Sequence, residues 1–574
     1  MKTARFSILA PMGLSLGALL LGVGCGGSHS SSTASVAKSG TYDSQLAFDA
    51  TAYTSITVTV DGASTTVRKY GPIQYVATPV VMQLAQTSMG QTSNMSSTTA
   101  MQELYVYVPE GSASNQTTAI WMMVNNAGWF LSPVKDLVSS GTAFLTTDTS
   151  DSGAVANALK DGYVIVSAGT RGRGAVAADG SYAGKAPACV VDAKAAIRYL
   201  RLNDSVMPGS AEHLVINGTS GGGGLVTTVG ASGNSSDYYA YLAEIGAAGI
   251  TGTGSAATST LKDNVFAVHA YCPINNLAHA DQAYEWQYNA IRSDSNTGSL
   301  NSIAYSAGPQ PAASTAIAST FSGYLSGLDL KLEDGSTTLS TSELPTTITA
   351  QVAAEVNRQI AAGTSVPDYG GSFSVTVHGT TSSYTNDWLT LSGSGTSAKV
   401  ANIDYSNYLK FVASTTALKT VVAFDAQGVT GNPSVSGEST LYGPTSTSYS
   451  NFTEWSWNNN ATVGDGVGFY DTGLTWVQYL PSSAGIELAS QLKMTSPIPY
   501  LASSTCDAAP YWYVRHGMID RDTSFAIQML LYYGITNNAN VKELNFKIPY
   551  LTPHSGNYDA TEAFTWIQAK VAAN

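Results

Sequence analysis

The chain has 574 residues, room for about two to four ordinary domains and far more than a disulfide-stapled scaffold requires. Hydrophobic residues at 44% exclude wholesale disorder, while charged residues at 11% fall well below the roughly 25% of ordinary soluble chains. A net charge of −13 repels phosphate backbones and argues against nucleic acid as a partner.

The first segment reads as an export signal. Lys2 and Arg5 precede an apolar stretch from Ile8 to Val23, and Gly24-Cys25-Gly26-Gly27 follows. The stretch is too short and too rich in glycine for a good membrane span. Small residues directly before Cys25 resemble a bacterial lipoprotein signal, in which that Cys is acylated and becomes the new N-terminus. Residues 1–24 are therefore expected to be a signal peptide and 25–40 a Ser/Gly-rich tether. The expected location is outside the cytoplasm, on the cell envelope through an N-terminal lipid anchor. Simple cleavage to a periplasmic or secreted form is the alternative. The other thiols, Cys189, Cys272 and Cys506, allow at most one bridge. No Cys-x-x-Cys or His-x-x-x-His spacing is present, so neither a metal site nor a cofactor is expected.

Beyond the tether, residues 55–60 alternate by twos, and Asp61-Gly62 turns them into 65–70 as a hairpin. Residues 103–108 form another strand. Continuous apolar runs at 120–124, 163–167, 215–216 and 265–271 suit strands buried on both faces of a parallel sheet. Between two of them, Val190, Ala193, Ile197 and Leu200 form one stripe of a helix over 189–202. Strand–helix alternation of this kind predicts an α/β core with a mostly parallel, doubly wound sheet. From 275 to 495 the sequence is rich in Ser, Thr, Gly and Asn with weak periodicity. Regular signals resume with a strand at 511–514, a helix at 524–533, a strand at 544–550 and a helix at about 560–571. The expected organisation is a core over 41–274 and 496–574, interrupted by a large inserted lid domain over 275–495.

Within 214–225, Gly218-x-Ser220-x-Gly222 follows an apolar strand and precedes a helix-like stretch. That is the nucleophile-elbow pattern, in which glycines let a strained turn present the serine. The bland alternative is a glycine turn beside an ordinary serine. A phosphate-binding loop is disfavoured because no Lys follows the glycines. The main-chain N–H of Gly221 is the expected oxyanion donor. The second is placed after the strand at 120–124, in Asn125-Asn126-Ala127-Gly128-Trp129, with Gly128 chosen.

A serine nucleophile of this type needs an acid and then a histidine later in the chain. After the strand at 511–514 comes Arg515-His516-Gly517-Met518-Ile519-Asp520-Arg521-Asp522-Thr523-Ser524. Asp520 is the acid candidate and Asp522 its competitor, the latter also a candidate N-cap for the following helix. His554 in Pro553-His554-Ser555-Gly556 lies between the last strand and the last helix, where the base belongs. Asp559 or Thr561 can cap that helix. His516 and His269 read as structural, and His213, His279 and His378 have no partner signature. The chemistry expected of Ser220, His554 and Asp520 is acyl transfer to water through an acyl-enzyme.

Several segments together resemble bacterial tannases (tannin acyl hydrolases, subtype B) of the α/β-hydrolase superfamily. They are Ile73-Gln74-Tyr75-Val76, Gly172-Arg173-Gly174, Gly184-Lys185-Ala186-Pro187, Val191-Asp192-Ala193-Lys194-Ala195, Tyr271-Cys272-Pro273-Ile274, Ala283-Tyr284-Glu285-Trp286, the elbow, and the Asp520 and His554 loops. The resemblance implies an α/β-hydrolase core with a large inserted lid, and hydrolysis of galloyl esters to gallic acid. It also implies that Lys419, Glu438 and Asp522 grip the hydroxyls of a small-molecule polyphenolic ester. Paired opposite charges suit such a ring, although Lys419 and Glu438 could equally be solvated charges on the lid. The competing expectations are a carboxylesterase or feruloyl esterase of the same fold, and a non-catalytic surface lipoprotein suggested by the Ser/Thr/Gly-rich composition. The sequence does not fix the oligomeric state.

Overall fold

The computed structural model describes residues 40–293, 310–429, 437–462 and 467–574. The expected signal peptide, Cys25 and the tether up to residue 39 lie outside the described residues. No helix among the described residues is long and apolar enough to cross a membrane.

A ten-stranded sheet organises the chain. Its strands are β1 (Tyr53–Val60), β2 (Ala63–Gln74), β3 (Glu103–Pro109), β4 (Ala119–Met123), β5 (Ala143–Phe144), β6 (Val164–Ala168), β7 (Ser210–Thr219), β8 (Ala267–Tyr271), β9 (Tyr511–Arg515) and β10 (Glu543–Lys547). Across the sheet they run β10-β9-β8-β7-β4-β6-β3-β2-β1-β5. From β10 to β6 neighbouring strands are parallel, whereas β1, β2 and β3 form an antiparallel flank. The β1–β2 hairpin turns at Asp61 and Gly62, whose φ values of 50° and 82° match the twist of the flanking strands.

Five helices cover the sheet: α1 (Asp151–Lys160), α2 (Ala188–Leu202), α3 (Gly221–Ala231), α4 (Phe525–Thr536) and α5 (Ala560–Ala572). Helices α2, α3 and α4 pack on one face and α1 and α5 on the other. This explains the unbroken apolar runs, since every residue of β4, β6, β8 and β9 is buried. Each large apolar side chain so enclosed contributes about 1.5–3 kcal/mol.

Helix α2 departs from the single stripe read in its sequence, because residues 188–200 are all buried. Its charged residues are paired rather than solvated: Asp192 with Arg171, and Lys194 and Arg198 with Asp263. The strand expected at 544–550 also ends early, at Lys547, just before Pro549, which has no N–H to give a ladder.

Strands β8 and β9 are parallel neighbours, yet more than two hundred residues of sequence separate them. The weak periodicity read there conceals regular structure. It includes helices Leu277–Ser293, Leu344–Ala361, Tyr405–Thr415 and Ser483–Met494, and a hairpin of Ser372–Val377 with Thr380–Thr385. Leu277, Ala283, Tyr284 and Tyr288 of the first helix join the main core. The chain leaves β4 for β6 on one side and then crosses through α2 to β7 on the other. Their carboxyl ends therefore bound a crevice, the usual place for a ligand in an open α/β sheet.

Candidate active site

Ser220 stands directly after β7 with φ 61° and ψ −123°, a conformation that L side chains rarely adopt. It is fixed on both sides. Its N–H donates to Tyr271 O at 2.9 Å, and its carbonyl accepts from Ile274 and Gly224, each at 3.0 Å. The flanking glycines are sterically required. A Cβ on Gly218 would stand 2.4 Å from Gly222 O, and one on Gly221 would stand 2.0 Å from Trp129 N.

His554 and Asp520 arrive on two loops that hydrogen-bond each other. After β9, Met518 N–H donates to Pro549 O and Ile519 N–H to Thr552 O. Nε2 of His554 lies 2.9 Å from Ser220 Oγ, and Nδ1 lies 2.8 Å from Asp520 Oδ2. Asp520 is fully buried, and its Oδ1 accepts the N–H of Asp522 at 2.8 Å. Burial opposes charge on both partners, but their mutual attraction prevails. His554 is raised well above its ordinary range, and Asp520 is held below the usual carboxylate range with help from His516. His516 itself is buried and its pKa lowered, burial outweighing Asp520, whose Oδ2 is 3.5 Å away.

The turn at Ala127–Trp129 packs against Gly221 and is locked by the Trp129 indole, which donates to Ile274 O at 2.9 Å. Cys272, at the exit of β8, donates its thiol to Ser555 O at 3.3 Å. One donor atom from each of Cys272, Asp520 and His554 falls within 4.8 Å of the others. Asp520 and His554 of that group already engage each other, an arrangement that suits proton transfer better than metal ligation. Cys189, Cys272 and Cys506 are all free thiols.

The three residues linked to ring recognition are distributed differently. Asp522 Oδ2 is 3.7 Å from His554 Nδ1, while its Oδ1 pairs with Arg521 at 2.5 Å. Both border a cavity of about 100 Å³ together with His378, Thr416 and His554. Lys419 Nζ sits 4.3 Å from the Phe424 ring centroid, and the Lys419 N–H donates to Tyr284 Oη. Glu438 is buried and ion-paired with Arg173 at 3.2 Å, and its N–H donates to Phe424 O. Phe424 thus joins Lys419 to Glu438, and the turn bearing Glu438 packs against Ala127–Trp129.

Two candidate caps make no capping bond. Ser524, not Asp522, caps α4, accepting from Ile527 N–H. Asp559 stands at the N-cap position of α5 but makes no capping bond. Its carboxylate serves the buried Arg515 and the hydroxyls of Tyr271 and Tyr513 instead. Sequence reading assigned no role to Arg173, Lys185 or Cys272, although each lay in a segment singled out for its resemblance.

A doubly wound sheet with a strained serine turn at its switch point, answered by a histidine and a buried aspartate, defines an α/β hydrolase. The BD-FAE family profile matches residues 104–301. No curated protein sequence matches the chain. Among solved structures, tannin acyl hydrolase from Lactobacillus plantarum is 30% identical, with 92% of this chain and 99% of that one covered and a TM-score of 0.68. A tannin acyl hydrolase in complex with ethyl gallate is also 30% identical, over 92% and 98%, with a TM-score of 0.67. Fusobacterium nucleatum tannase is 28% identical, over 92% and 99%, again with a TM-score of 0.67. The chain belongs to the tannase family and is a carboxylic-ester hydrolase.

Proposed function

We propose that this enzyme hydrolyses galloyl esters through a Ser220–His554–Asp520 triad and releases gallic acid. The observation that carries the reading is the continuous path from Asp520 Oδ2 through both ring nitrogens of His554 to Ser220 Oγ, with steps of 2.8 and 2.9 Å. Neutral His554 takes the Ser220 proton as Oγ attacks the ester carbonyl. The oxyanion forms against the N–H groups of Gly221 and Gly128, each contributing about 3 kcal/mol. His554 then protonates the leaving alcohol and activates the water that releases the acid. Asp522, Lys419 and Glu438 hold the ring hydroxyls, with Arg173 paired to Glu438. The complex of a related tannin acyl hydrolase with ethyl gallate supports the substrate class.

The segment over 275–495 acts in this reading as the cover that supplies Lys419 and Glu438. Residues 1–24 direct export, and acylated Cys25 holds the enzyme to the cell envelope. The mass of the mature N-terminal peptide tests the anchor.

Turnover of methyl gallate against methyl benzoate tests the substrate. A site built to bond hydroxyls is expected to favour the gallate by at least about 100-fold. Equal rates would remove the galloyl reading, and faster turnover of methyl ferulate would replace it with a feruloyl esterase. Ser220→Ala indistinguishable from wild type would remove the triad.

A further inference from the structure

Lys419, Phe424 and Glu438 lie in the long segment between β8 and β9, whereas Ser220 follows β7. A ring held by one and an ester attacked by the other must stay in register, because a misplacement of about 1 Å can cost about 100-fold in rate. One helix, Leu277–Ser293, spans the two. It begins close to the serine, since Ile274, just before it in the chain, donates its N–H to Ser220 O at 3.0 Å. Leu277, Ala280 and Ala283 seat it in the main core.

The helix presents Asp281, Tyr284, Glu285 and Arg292 on one face, and all four are buried. Oδ1 of Asp281 accepts the N–H groups of Ala423 and Phe424 at 2.7 and 2.9 Å, and Oδ2 accepts that of Asp425 at 3.0 Å. Tyr284 Oη accepts the Lys419 N–H at 3.1 Å. Arg292, paired with Glu285 at 2.8 Å, donates to Lys419 O at 2.6 Å. Lys419 is therefore held at both its main-chain N–H and its carbonyl, and Phe424 at its N–H. The Phe424 ring lies under Lys419 Nζ, and its carbonyl accepts the Glu438 N–H at 2.8 Å. The Asp425 carboxylate does not compete for these donors, because it takes its own from Asn451, Phe452 and Thr453. Residues 417–425 form neither helix nor strand, so they have no ladder to fix them. Three N–H groups converging on one carboxylate supply that constraint, and hydrogen bonds to an ionised acceptor are the stronger kind.

We propose that Asp281 and Tyr284 are positioning residues that set specificity by holding Lys419 and Phe424 in register with Ser220, a role that rests on the galloyl esterase reading. The test measures kcat and KM for methyl gallate and methyl benzoate in the full-length protein, and the rate at which a fluorophosphonate probe labels Ser220. Wild type is expected to favour the gallate. Asp281→Asn keeps the volume and one acceptor oxygen but loses the charge. KM for methyl gallate should rise about 10-fold while kcat changes less than about two-fold. Methyl benzoate has no ring hydroxyls to place, so its turnover and the labelling of Ser220 should stay at the wild-type level. Tyr284→Phe removes only the oxygen that accepts the Lys419 N–H. It should lower the preference for the gallate by about 3-fold, and it decides the matter where Asp281→Asn does not fold. A preference unchanged in the folded variants overturns the positioning role alone. So does an equal loss for both esters with slower labelling of Ser220, the mark of a merely structural part. A wild-type protein that cleaves both esters at equal rates overturns the galloyl reading and this role with it.

Discussion

The main-chain N–H of Asp522 donates to Oδ1 of Asp520 at 2.8 Å, while Oδ2 of the same carboxylate faces His554. One buried acid therefore orients the imidazole and shapes the turn that presents Asp522. The consequence is a pH dependence. In the proposed triad His554 must be neutral to accept the Ser220 proton, and the carboxylate raises its pKa against the opposing effect of burial. The acid limb of kcat/KM should then lie above the ordinary histidine value of about 6.5. Asp520→Asn removes the charge and leaves burial dominant, so the limb should move to lower pH while the maximum falls about 10⁴-fold. A pH profile of both proteins checks this, and a limb that stays in place would uncouple His554 from Asp520.

The glycines after Ser220 differ in what surrounds them. A Cβ on Gly221 meets Trp129 N at 2.0 Å, and one on Gly224 meets Ile274 O at 2.0 Å, both main-chain atoms that cannot swing away. On Gly222 the nearest atom is Val124 O at 3.2 Å. Gly221→Ala should therefore push the Ala127–Trp129 turn off the serine, lowering kcat by about 10²-fold or more and stability by about 1–3 kcal/mol. Gly222→Ala should change stability by no more than about 1 kcal/mol, since helix propensity offsets the tight contact. Urea unfolding and methyl gallate kinetics on the pair separate the two. Equal losses would deny the turn its role.

Glu438 pairs with Arg173 where both side chains are nearly closed to solvent, 9% and 4% exposed respectively. Arg173 lies on the loop after β6 and stacks at 3.8 Å on Phe130, beside Gly128. Removing the cation would leave a buried carboxylate without its counter-charge. Arg173→Met is expected to destabilise the fold by about 3–5 kcal/mol and to raise KM for methyl gallate more than it lowers kcat. Thermal unfolding and steady-state kinetics measure both effects. A KM at the wild-type level in the folded variant would separate Glu438 from substrate binding.

What the sequence disclosed follows from how local each signal is. The runs at 120–124 and 163–167 could be read as doubly covered strands because burial on both faces selects apolar residues at every position, and β4 and β6 are so buried. The Ser220 turn was legible because its steric demand falls on near neighbours in sequence, Gly218 and Gly221. Helix α2 misled because Asp192, Lys194 and Arg198 look like a solvated face, and their partners Arg171 and Asp263 lie 21 to 69 residues distant. The same limit hid Arg173, whose partner Glu438 belongs to the far segment. Asp559 misled for a related reason: a capping position was visible in sequence, but the demand of Arg515 for a counter-charge was not.

Lys185 gives the clearest case of a charge whose purpose appears only in three dimensions. Its Nζ donates to Thr440 O at 3.0 Å and to Tyr442 O and Ser448 O, each at 2.8 Å. Ala186 N–H donates to Leu441 O and Tyr182 N–H to Thr445 O, so residues 182–186 are laced to the segment that begins at Glu438. Burial lowers the Lys185 pKa to about 7. The ammonium has three N–H donors and the neutral amine two, so deprotonation leaves one of the three carbonyls without its donor. KM for methyl gallate should therefore rise as pH passes about 7. Global stability should move the other way. A lysine with a folded pKa near 7 and an unfolded pKa near 10.4 binds fewer protons folded than unfolded between those values, so this group's contribution grows as pH rises across that window. Lys185→Met has no titrating group here, so its KM should be raised already at acid pH and show no further step near 7. Parallel KM and urea-unfolding series across the pH range decide the matter, and a wild-type KM that stays level through neutrality would show that Lys185 does not position Glu438.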